Sequence, residues 1–174
     1  MRYRLIDTAL GALGLGWTAA GIARLRLPGL SPAELRQGFC AAGAIEDAEG
    51  EAGLAGRIVA YADGRPDAFD DIDFDLAGVP ELHVRIYGEL RRIGWGETTT
   101  YGEIARRLGD VGLSRAVGTA MGRNPVPLLI PCHRVLAAGG RSGGFSAPGG
   151  VSAKFRLLAL EKAAAPDGQF SLGL

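Results

Sequence analysis

The sequence is poor in the residue types that form disulfides and zinc sites. Its 174 residues include only two cysteines, Cys40 and Cys132, and two histidines, His83 and His133. The cysteines lack the spacing and density of a disulfide scaffold, so we expect both thiols to be reduced. Two cysteines and two histidines scattered along a chain also lack the ligand spacing of a structural zinc site, and we predict no metal.

Long apolar runs are also missing. No segment approaches the roughly 20 apolar residues that a membrane-spanning helix requires. The first residues imitate a secretory signal by placing Arg2 and Arg4 before an apolar stretch, but Asp7 and Thr8 interrupt it. We therefore expect a folded strand and turn at the start, no contact with a membrane, and a cytoplasmic protein.

A net charge is absent, because 19 basic side chains balance 19 acidic ones. The balance is uneven along the chain: residues 1–79 hold 7 basic and 12 acidic side chains, whereas residues 80–174 hold 12 basic and 7 acidic ones. Any surface that binds a polyanion is therefore expected in the second part. The alternative is that these are ordinary solvated side chains without a binding role. The charge distribution by itself favours this alternative.

The first part of the chain combines strand patterns with one clear helix. Alternating or apolar-rich segments separated by glycines predict an antiparallel meander. In the helix that follows, Ser31 and Glu34 predict a capping box. We interpret Cys40, within that helix, as a small buried thiol. Residues 72–76 alternate apolar side chains with aspartates, which predicts one more strand.

From Pro80 onward the pattern is helical, with apolar residues every three or four positions as far as Ile93. This change divides the chain into an N-terminal α/β domain, residues 1–79, and a second domain, residues 80–174. The predicted fold class is α+β: a small antiparallel sheet with helices, followed by a mainly helical domain.

Two short helices come next. Thr100 and Glu103 predict a capping box for the first helix, which stops at Gly109, and Ser114 is the predicted cap of the second. Two short helices joined by a tight turn have the outline of a helix-turn-helix, in which the second helix reads DNA. Hairpins of this kind are also common in helical cores, so the outline is a weak signal.

The composition of the second helix favours contact with DNA. Ala116 and Gly118 are small enough for its backbone to approach a groove wall, while Arg115 and Arg123 stand near its ends. Thr119 is a further candidate contact. Tight packing between helices would explain the small residues equally well.

The segment NPVPLLIPCHRV, residues 124–135, carries the candidate chemistry. Asn124 and the two prolines that follow predict a rigid turn, residues 128–130 predict a short buried strand, and Pro131 places Cys132 at the end of that strand. A thiol attacks only as the thiolate, and its usual pKa of about 8.5 requires a neighbouring base, for which His133 is the nearest candidate. Adjacent side chains on an extended segment point in opposite directions, so the two need a turn or a bridging water. An inert buried pair is the alternative.

From about Leu82 to Glu161 the chain resembles the alkylguanine-DNA alkyltransferase family, also called methylated-DNA-protein-cysteine methyltransferases. The resemblance rests on GETTTYGEIA, SRAVGTAMGRNPVPLLIPCHRV, SGGFSAPGG and KFRLLALE, with a short insertion near residues 147–150. The part before Pro80 shares only the outline of the family's N-terminal domain, a small ribonuclease-H-like sheet with helices. The resemblance implies irreversible, single-use transfer of a methyl or other alkyl group from the exocyclic oxygen of alkylguanine in DNA to a cysteine. Alkylthymine is a further candidate substrate.

The resemblance also implies roles for individual residues. Cys132 is the alkyl acceptor, and His133 activates it through a water. Glu161 orients His133, and Asn124 braces the turn between the DNA-binding helix and the active site. Tyr101 presses on the phosphate of the target nucleotide, and its hydroxyl helps the guanine to leave.

Further implied contacts concern the flipped base. Arg115 fills the stack that the base vacates, and Pro127 and Phe145 line the pocket. The Val135 carbonyl accepts from the guanine amino group, and backbone donors around Ser146 face the oxygen. The implied partner is double-stranded DNA containing alkylated guanine, which a monomer contacts through the minor groove. A thioether does not hydrolyse, so no turnover and no cofactor are expected.

Several positions depart from the family pattern. Leu82 and Tyr87 stand where Phe and Trp are usual, and residues 94–95 replace a proline-containing turn. Phe145 stands where Tyr is common, and the insertion near Pro148 borders the pocket. These departures leave the preferred alkyl group open.

Three other functions fit parts of the pattern. A non-catalytic lesion binder would carry another residue, often Trp, in place of Cys132. A helix-turn-helix regulator that senses alkylation would need an additional regulatory or metal-binding domain. A Cys-His hydrolase would need an oxyanion hole, and a proline directly before the cysteine does not form a nucleophile elbow.

Overall fold

The computed structural model describes residues 1–140 and 150–163. It divides the chain into two compact units, Met1–Ala77 and Gly78–Leu174. The described residues contain six α-helices and two small sheets. Among them, no helix is long and apolar enough to cross a membrane.

The first unit is built on a four-stranded sheet in the order β3-β2-β1-β4. Strands β1 (Arg2–Thr8), β2 (Gly11–Thr18) and β3 (Gly21–Arg26) form the predicted antiparallel meander. The two-residue strand β4 (Ile45–Glu46) pairs with β1 in the parallel direction, so the sheet is mixed and the expectation of a purely antiparallel sheet is wrong. Strand β3 runs in the same direction as β1. The helical connection after β3 returns the chain to the end of the sheet where β1 begins, so β4 also runs parallel to β1.

Helix α1 (Pro32–Ala41) packs on this sheet through Leu35 and Phe39, and the Ser31–Glu34 capping box is confirmed. The Phe39 ring stacks on Tyr3 with 4.6 Å between centroids. Cys40 is exposed, so its interpretation as a buried thiol is wrong. Successive helical residues point about 100° apart, so burying Phe39 turns its neighbour away from the sheet.

Helix α2 (Ala52–Ala62) completes the helices of the first unit. The strand predicted at residues 72–76 is wrong, since only Phe74 forms an isolated bridge, with Ile22. The Asp75 carboxylate accepts from the Thr18 hydroxyl and from the Ala77 backbone N–H. These contacts turn the chain before a strand can extend.

The second unit contains α3 (Glu81–Arg91), α4 (Tyr101–Arg107), α5 (Ser114–Gly122) and α6 (Gly150–Leu160). Two short strands, β5 (Thr99–Thr100) and β6 (Val135–Leu136), pair in parallel. The helix predicted after Pro80 is confirmed, and its Ile86 and Leu90 are fully buried. Helices α3, α4 and α5 pack against one another, and α6 packs against the turn at residues 132–134 that carries Cys132.

The caps of α4 and α5 differ from each other. The Thr100 hydroxyl accepts from the Glu103 N–H at 3.2 Å, which is one half of the predicted capping box. The Glu103 carboxylate contacts Arg106 and Arg107. Ser114 does not cap α5, because a 3-10 turn, Val111–Leu113, precedes the helix and the Ser114 hydroxyl donates to the Val111 carbonyl.

Candidate active site

A tight turn after α5 leads to the candidate nucleophile. The Asn124 amide donates to the Ile130 carbonyl at 2.8 Å, and its oxygen accepts from the Val126 N–H at 3.1 Å. The strand predicted at residues 128–130 is wrong: Leu128 has a φ of 78°, and only a single bridge joins Pro127 to Ile130. Asn124 thus holds both arms of a turn in which Pro127 is buried.

Cys132 begins a 3-10 turn, Cys132–Arg134, in place of an extended segment. Side chains on such a turn are separated by about 120°, so Cys132 and His133 do not point in opposite directions. Burial raises the pKa of the Cys132 thiol, while the Asn124 side chain, the charge of Lys154 and the backbone donors of residues 132 and 133 act in the opposite direction. Because the balance is a raised pKa, the resting thiol is protonated and needs a base.

His133 is fully buried and bonded to a carboxylate. Its Nε2 lies 2.9 Å from Oε1 of Glu161, which is also buried. Burial lowers the pKa of His133 despite the opposing effect of Glu161, and Arg134 and Lys154 lower it further. With its proton on Nε2 and donated to the carboxylate, the neutral ring has a lone pair on Nδ1 and can accept a proton there.

Glu161 has a second partner, Arg134, that the sequence did not reveal and that keeps the carboxylate ionised. Nε of Arg134 lies 3.0 Å from Oε2 and Nη2 lies 2.8 Å from Oε1. Burial alone would raise the pKa of Glu161, but hydrogen bonds and charges from His133 and Arg134 lower it to about 2. Arg134 is itself only 4% exposed. The sequence signal that could have identified Arg134 was the position of a cation directly after the Cys-His pair.

Lys154 is a second buried cation that the sequence did not reveal. It is 0% exposed, and its Nζ donates to the Val135 carbonyl at 2.6 Å. Burial lowers the pKa of Lys154 to about 8, against the raising effect of a charge on Cys132. Lys154 interrupts the apolar face of α6, and Glu161 follows directly after that helix, seven residues later. A charged residue within an apolar helical face was the signal in the sequence that could have identified Lys154.

Tyr101 and Tyr87 approach the same sulfur from two helices. Tyr101 begins α4, and burial, followed by the charge of Cys132, raises its pKa. The Tyr87 hydroxyl on α3 donates to the Ala120 carbonyl at 2.8 Å, and burial and the charge of Cys132 raise the pKa of Tyr87 to about 12. Tyr87, where the family usually has Trp, is therefore part of the site's surroundings.

Helix α5 presents a separate exposed face. Arg115 and Thr119 are exposed and four residues apart, which places them along one stripe of the helix, and the exposed Arg123 follows directly at its C-terminal end. Ala116 and Gly118 are partly buried, and a methyl group built on Gly118 would lie 3.7 Å from the Tyr101 ring, an ordinary contact. The helix therefore packs against the tyrosine while its arginines point to solvent.

The structure gathers Cys132, His133, Glu161, Asn124 and Tyr101 around one buried thiol. The Val135 carbonyl, expected to bind guanine, accepts from Lys154, and its second lone pair can accept another donor. The remaining pocket residues of the sequence interpretation, Phe145 and Ser146, lie outside the described residues, as does Pro148.

Comparison with known proteins identifies the family of this chain. Residues 81–163 match the family model described as 6-O-methylguanine DNA methyltransferase, DNA binding domain. A methylated-DNA–protein-cysteine methyltransferase from Mycolicibacterium paratuberculosis is 37% identical over 166 residues, which cover 95% of each chain. The chain belongs to the methylated-DNA–protein-cysteine methyltransferase family.

Solved structures extend the family likeness to the whole chain. A crystal structure of Mycobacterium tuberculosis OGT in complex with DNA is 34% identical, covers 93% of each chain and superposes with a TM-score of 0.77. The O6-methylguanine-DNA methyltransferase of Pyrococcus kodakaraensis is 21% identical, with a TM-score of 0.69, and shows that the mixed α/β fold is shared at low identity. The likeness to the methyltransferase family therefore covers both units of the chain.

Proposed function

We propose that this protein repairs DNA by direct reversal, transferring a methyl or other alkyl group from the exocyclic oxygen of alkylguanine onto Cys132. The observation that carries the proposal is a buried thiol directly before a hydrogen-bonded His133–Glu161 pair, in a chain of this family. The relative from Mycolicibacterium paratuberculosis is named a methylated-DNA–protein-cysteine methyltransferase. Alkylthymine is a second candidate substrate.

The reaction moves one proton and exchanges one bond. His133 takes the thiol proton through a water, and the Cys132 thiolate attacks the alkyl carbon in line with the carbon–oxygen bond. A carbon–sulfur bond forms as the carbon–oxygen bond breaks, and the guanine oxygen leaves with the electron pair. The Tyr101 hydroxyl donates a hydrogen bond to the departing guanine. The product is a thioether, so each molecule acts once.

The target base must leave the duplex to reach Cys132, which is 4% exposed. In this proposal α4 and α5 form a helix-turn-helix that enters the minor groove, and Arg115 occupies the gap in the base stack. Thr119 and Arg123 extend the same exposed stripe toward the phosphates. Residues 80–174 are then the DNA-binding and transfer domain of a cytoplasmic monomer, and residues 1–79 form a ribonuclease-H-like domain.

Incubation with duplex DNA containing O6-methylguanine tests the proposal. We expect the intact protein to gain the mass of one methyl group, on the peptide that contains Cys132. The yield should stop at one methyl per molecule, because a thioether is stable in water. Continued product formation beyond that ratio, or an unmodified Cys132 in folded protein, would contradict it.

Gly118→Ala should separate folding from DNA repair. Gly118 has no positive φ, and its added methyl meets only the Tyr101 ring at 3.7 Å, so nothing within the described residues requires a glycine there. Alanine in mid-helix is expected to stabilise the protein by about 0.5–1 kcal/mol. If α5 lies against DNA, the same methyl group should slow repair of duplex DNA several-fold while leaving reaction with free O6-methylguanine unchanged.

Gly56→Ala is the matched control. Gly56 is an exposed glycine of α2 with open space around it, in the first unit. It should give the same stabilisation in thermal unfolding with no loss of repair. Equal repair rates for the two variants on duplex DNA would contradict the proposal that α5 lies against DNA.

A further inference from the structure

Arg134 makes a forked contact with Glu161 inside the protein. Its Nε lies 3.0 Å from Oε2 and 3.2 Å from Oε1, and its Nη2 lies 2.8 Å from Oε1. Nη1 donates to the Ile93 carbonyl. A guanidinium does not lose its proton in proteins, so a buried Arg134 needs an anion. Within residues 1–140 and 150–163, Glu161 is the anion in contact with it.

His133 shares that carboxylate from the other side. Its Nε2 lies 2.9 Å from Oε1, the oxygen that also accepts from Nη2 of Arg134. A neutral imidazole satisfies this contact with one N–H bond. The negative charge of Glu161 is already matched by the guanidinium, so the contact does not require an imidazolium.

The other charged groups around His133 oppose its protonation. Lys154, on α6, has a pKa of about 8 and is mainly protonated at neutral pH. Cys132, on the same turn as His133, is an uncharged thiol at rest, and Tyr87 and Tyr101 face that sulfur as neutral phenols. Among the described residues, Arg134 and Lys154 thus exceed Glu161 by one positive charge, and an imidazolium would add a second in a buried cluster.

We propose that Arg134 is a positioning residue that binds the Glu161 carboxylate and so holds His133 as a neutral imidazole, able to accept the proton of the Cys132 thiol. The consequence for alkyl transfer rests on the proposed function, but the charge of the ring does not. Burial and the charges of Arg134 and Lys154 lower the pKa of His133 against the effect of Glu161. Without Arg134, Glu161 would attract a proton to His133, and the base would be occupied before the reaction begins.

Two variants separate the charge of Arg134 from its shape. Arg134→Gln removes the charge, and Arg134→Lys keeps the charge but loses the fork. The ring of His133 is followed by NMR as the pH is lowered, which is practical because the chain has only two histidines and the His83→Gln variant assigns the signals. The acid limb of the pH–rate profile is measured in parallel, with free O6-methylguanine as substrate.

In the unchanged protein we expect a neutral His133 with its proton on Nε2 at neutral pH. Removal of a nearby positive charge raises the proton affinity of the pair, so in Arg134→Gln the His133 midpoint and the acid limb should both move up by about one pH unit or more. In Arg134→Lys both should stay near their original values, even if the rate falls. A residue that only shapes the site would lower the rate in both variants without moving either midpoint.

The unchanged protein supports or overturns the proposal even if Arg134→Gln fails to fold. A cationic His133 at neutral pH in the unchanged protein would overturn it, as would equal midpoints in all three proteins. Failure of alkyl transfer with the expected His133 titration would instead count against the proposed function and leave the role of Arg134 standing.

Discussion

Replacing Cys132 by serine is expected to abolish methyl transfer while leaving DNA binding intact. A serine hydroxyl ionises far less readily than a thiol, and His133 is too weak a base to form the alkoxide. We expect a loss of about 10⁴-fold or more in the transfer rate, which corresponds to about 5 kcal/mol of activation free energy. Cys132 is buried and serine is of similar size, so the exposed face of α5 that we propose binds DNA should be unchanged.

The other cysteine is the matched control for this substitution. Cys40 is exposed and lies on α1 in the first unit, where its sulfur is 3.7 Å from the Tyr3 hydroxyl. Cys40→Ser should transfer methyl groups at the rate of the unchanged protein, as measured by intact mass after reaction with methylated duplex DNA. Methylation of Cys132→Ser, or its loss in Cys40→Ser, would place the acceptor elsewhere.

Glu161→Gln should have the largest effect on stability among the site variants. The carboxylate is 1% exposed and is bonded to Arg134 and His133, so the amide leaves a buried guanidinium without its counter-charge. Breaking a buried pair in this way costs about 3–5 kcal/mol of unfolding free energy. Transfer should also fall by about 10²-fold or more in folded protein, because His133 loses the group that orients it.

The pH dependence of that stability has a defined direction. The pKa of Glu161 is lowered from 4.5 to about 2, so its contribution is fully present above about pH 4.5 and is lost as the pH falls toward about 2. Urea unfolding of both proteins at neutral pH and at about pH 3 measures this change. The difference in free energy between the unchanged protein and Glu161→Gln should shrink with acid.

Glu97→Gln is the control for removing a carboxylate from the same unit. Glu97 is exposed, and its Oε2 accepts only from the Gly94 N–H among the contacts of the described residues. It should change the unfolding free energy by less than about 1 kcal/mol. A Glu161→Gln protein as stable as Glu97→Gln at neutral pH would show that the buried charge pair contributes nothing.

Local signals predicted the elements that depend on neighbouring residues. The Ser31–Glu34 box starts α1, and the apolar repeat after Pro80 forms α3, because caps and helical faces depend on residues three or four positions apart. The same reasoning failed at residues 72–76 and 128–130, where the Asp75 and Asn124 side chains bind the backbone and turn the chain. Asparagine and aspartate compete with regular pairing in this way.

The sequence by itself determined the family and predicted Cys132 as the nucleophile with His133 beside it, since PCHRV and its flanking segments are continuous and carry their own spacing. Only the tertiary structure decided which charges meet around them. Arg134 and Glu161 are 27 residues apart, and Lys154 on α6 reaches the carbonyl of Val135 on β6. Ionisation of a buried group depends on distances through space and on exclusion of water, and neither is encoded in the order of residues along a single segment.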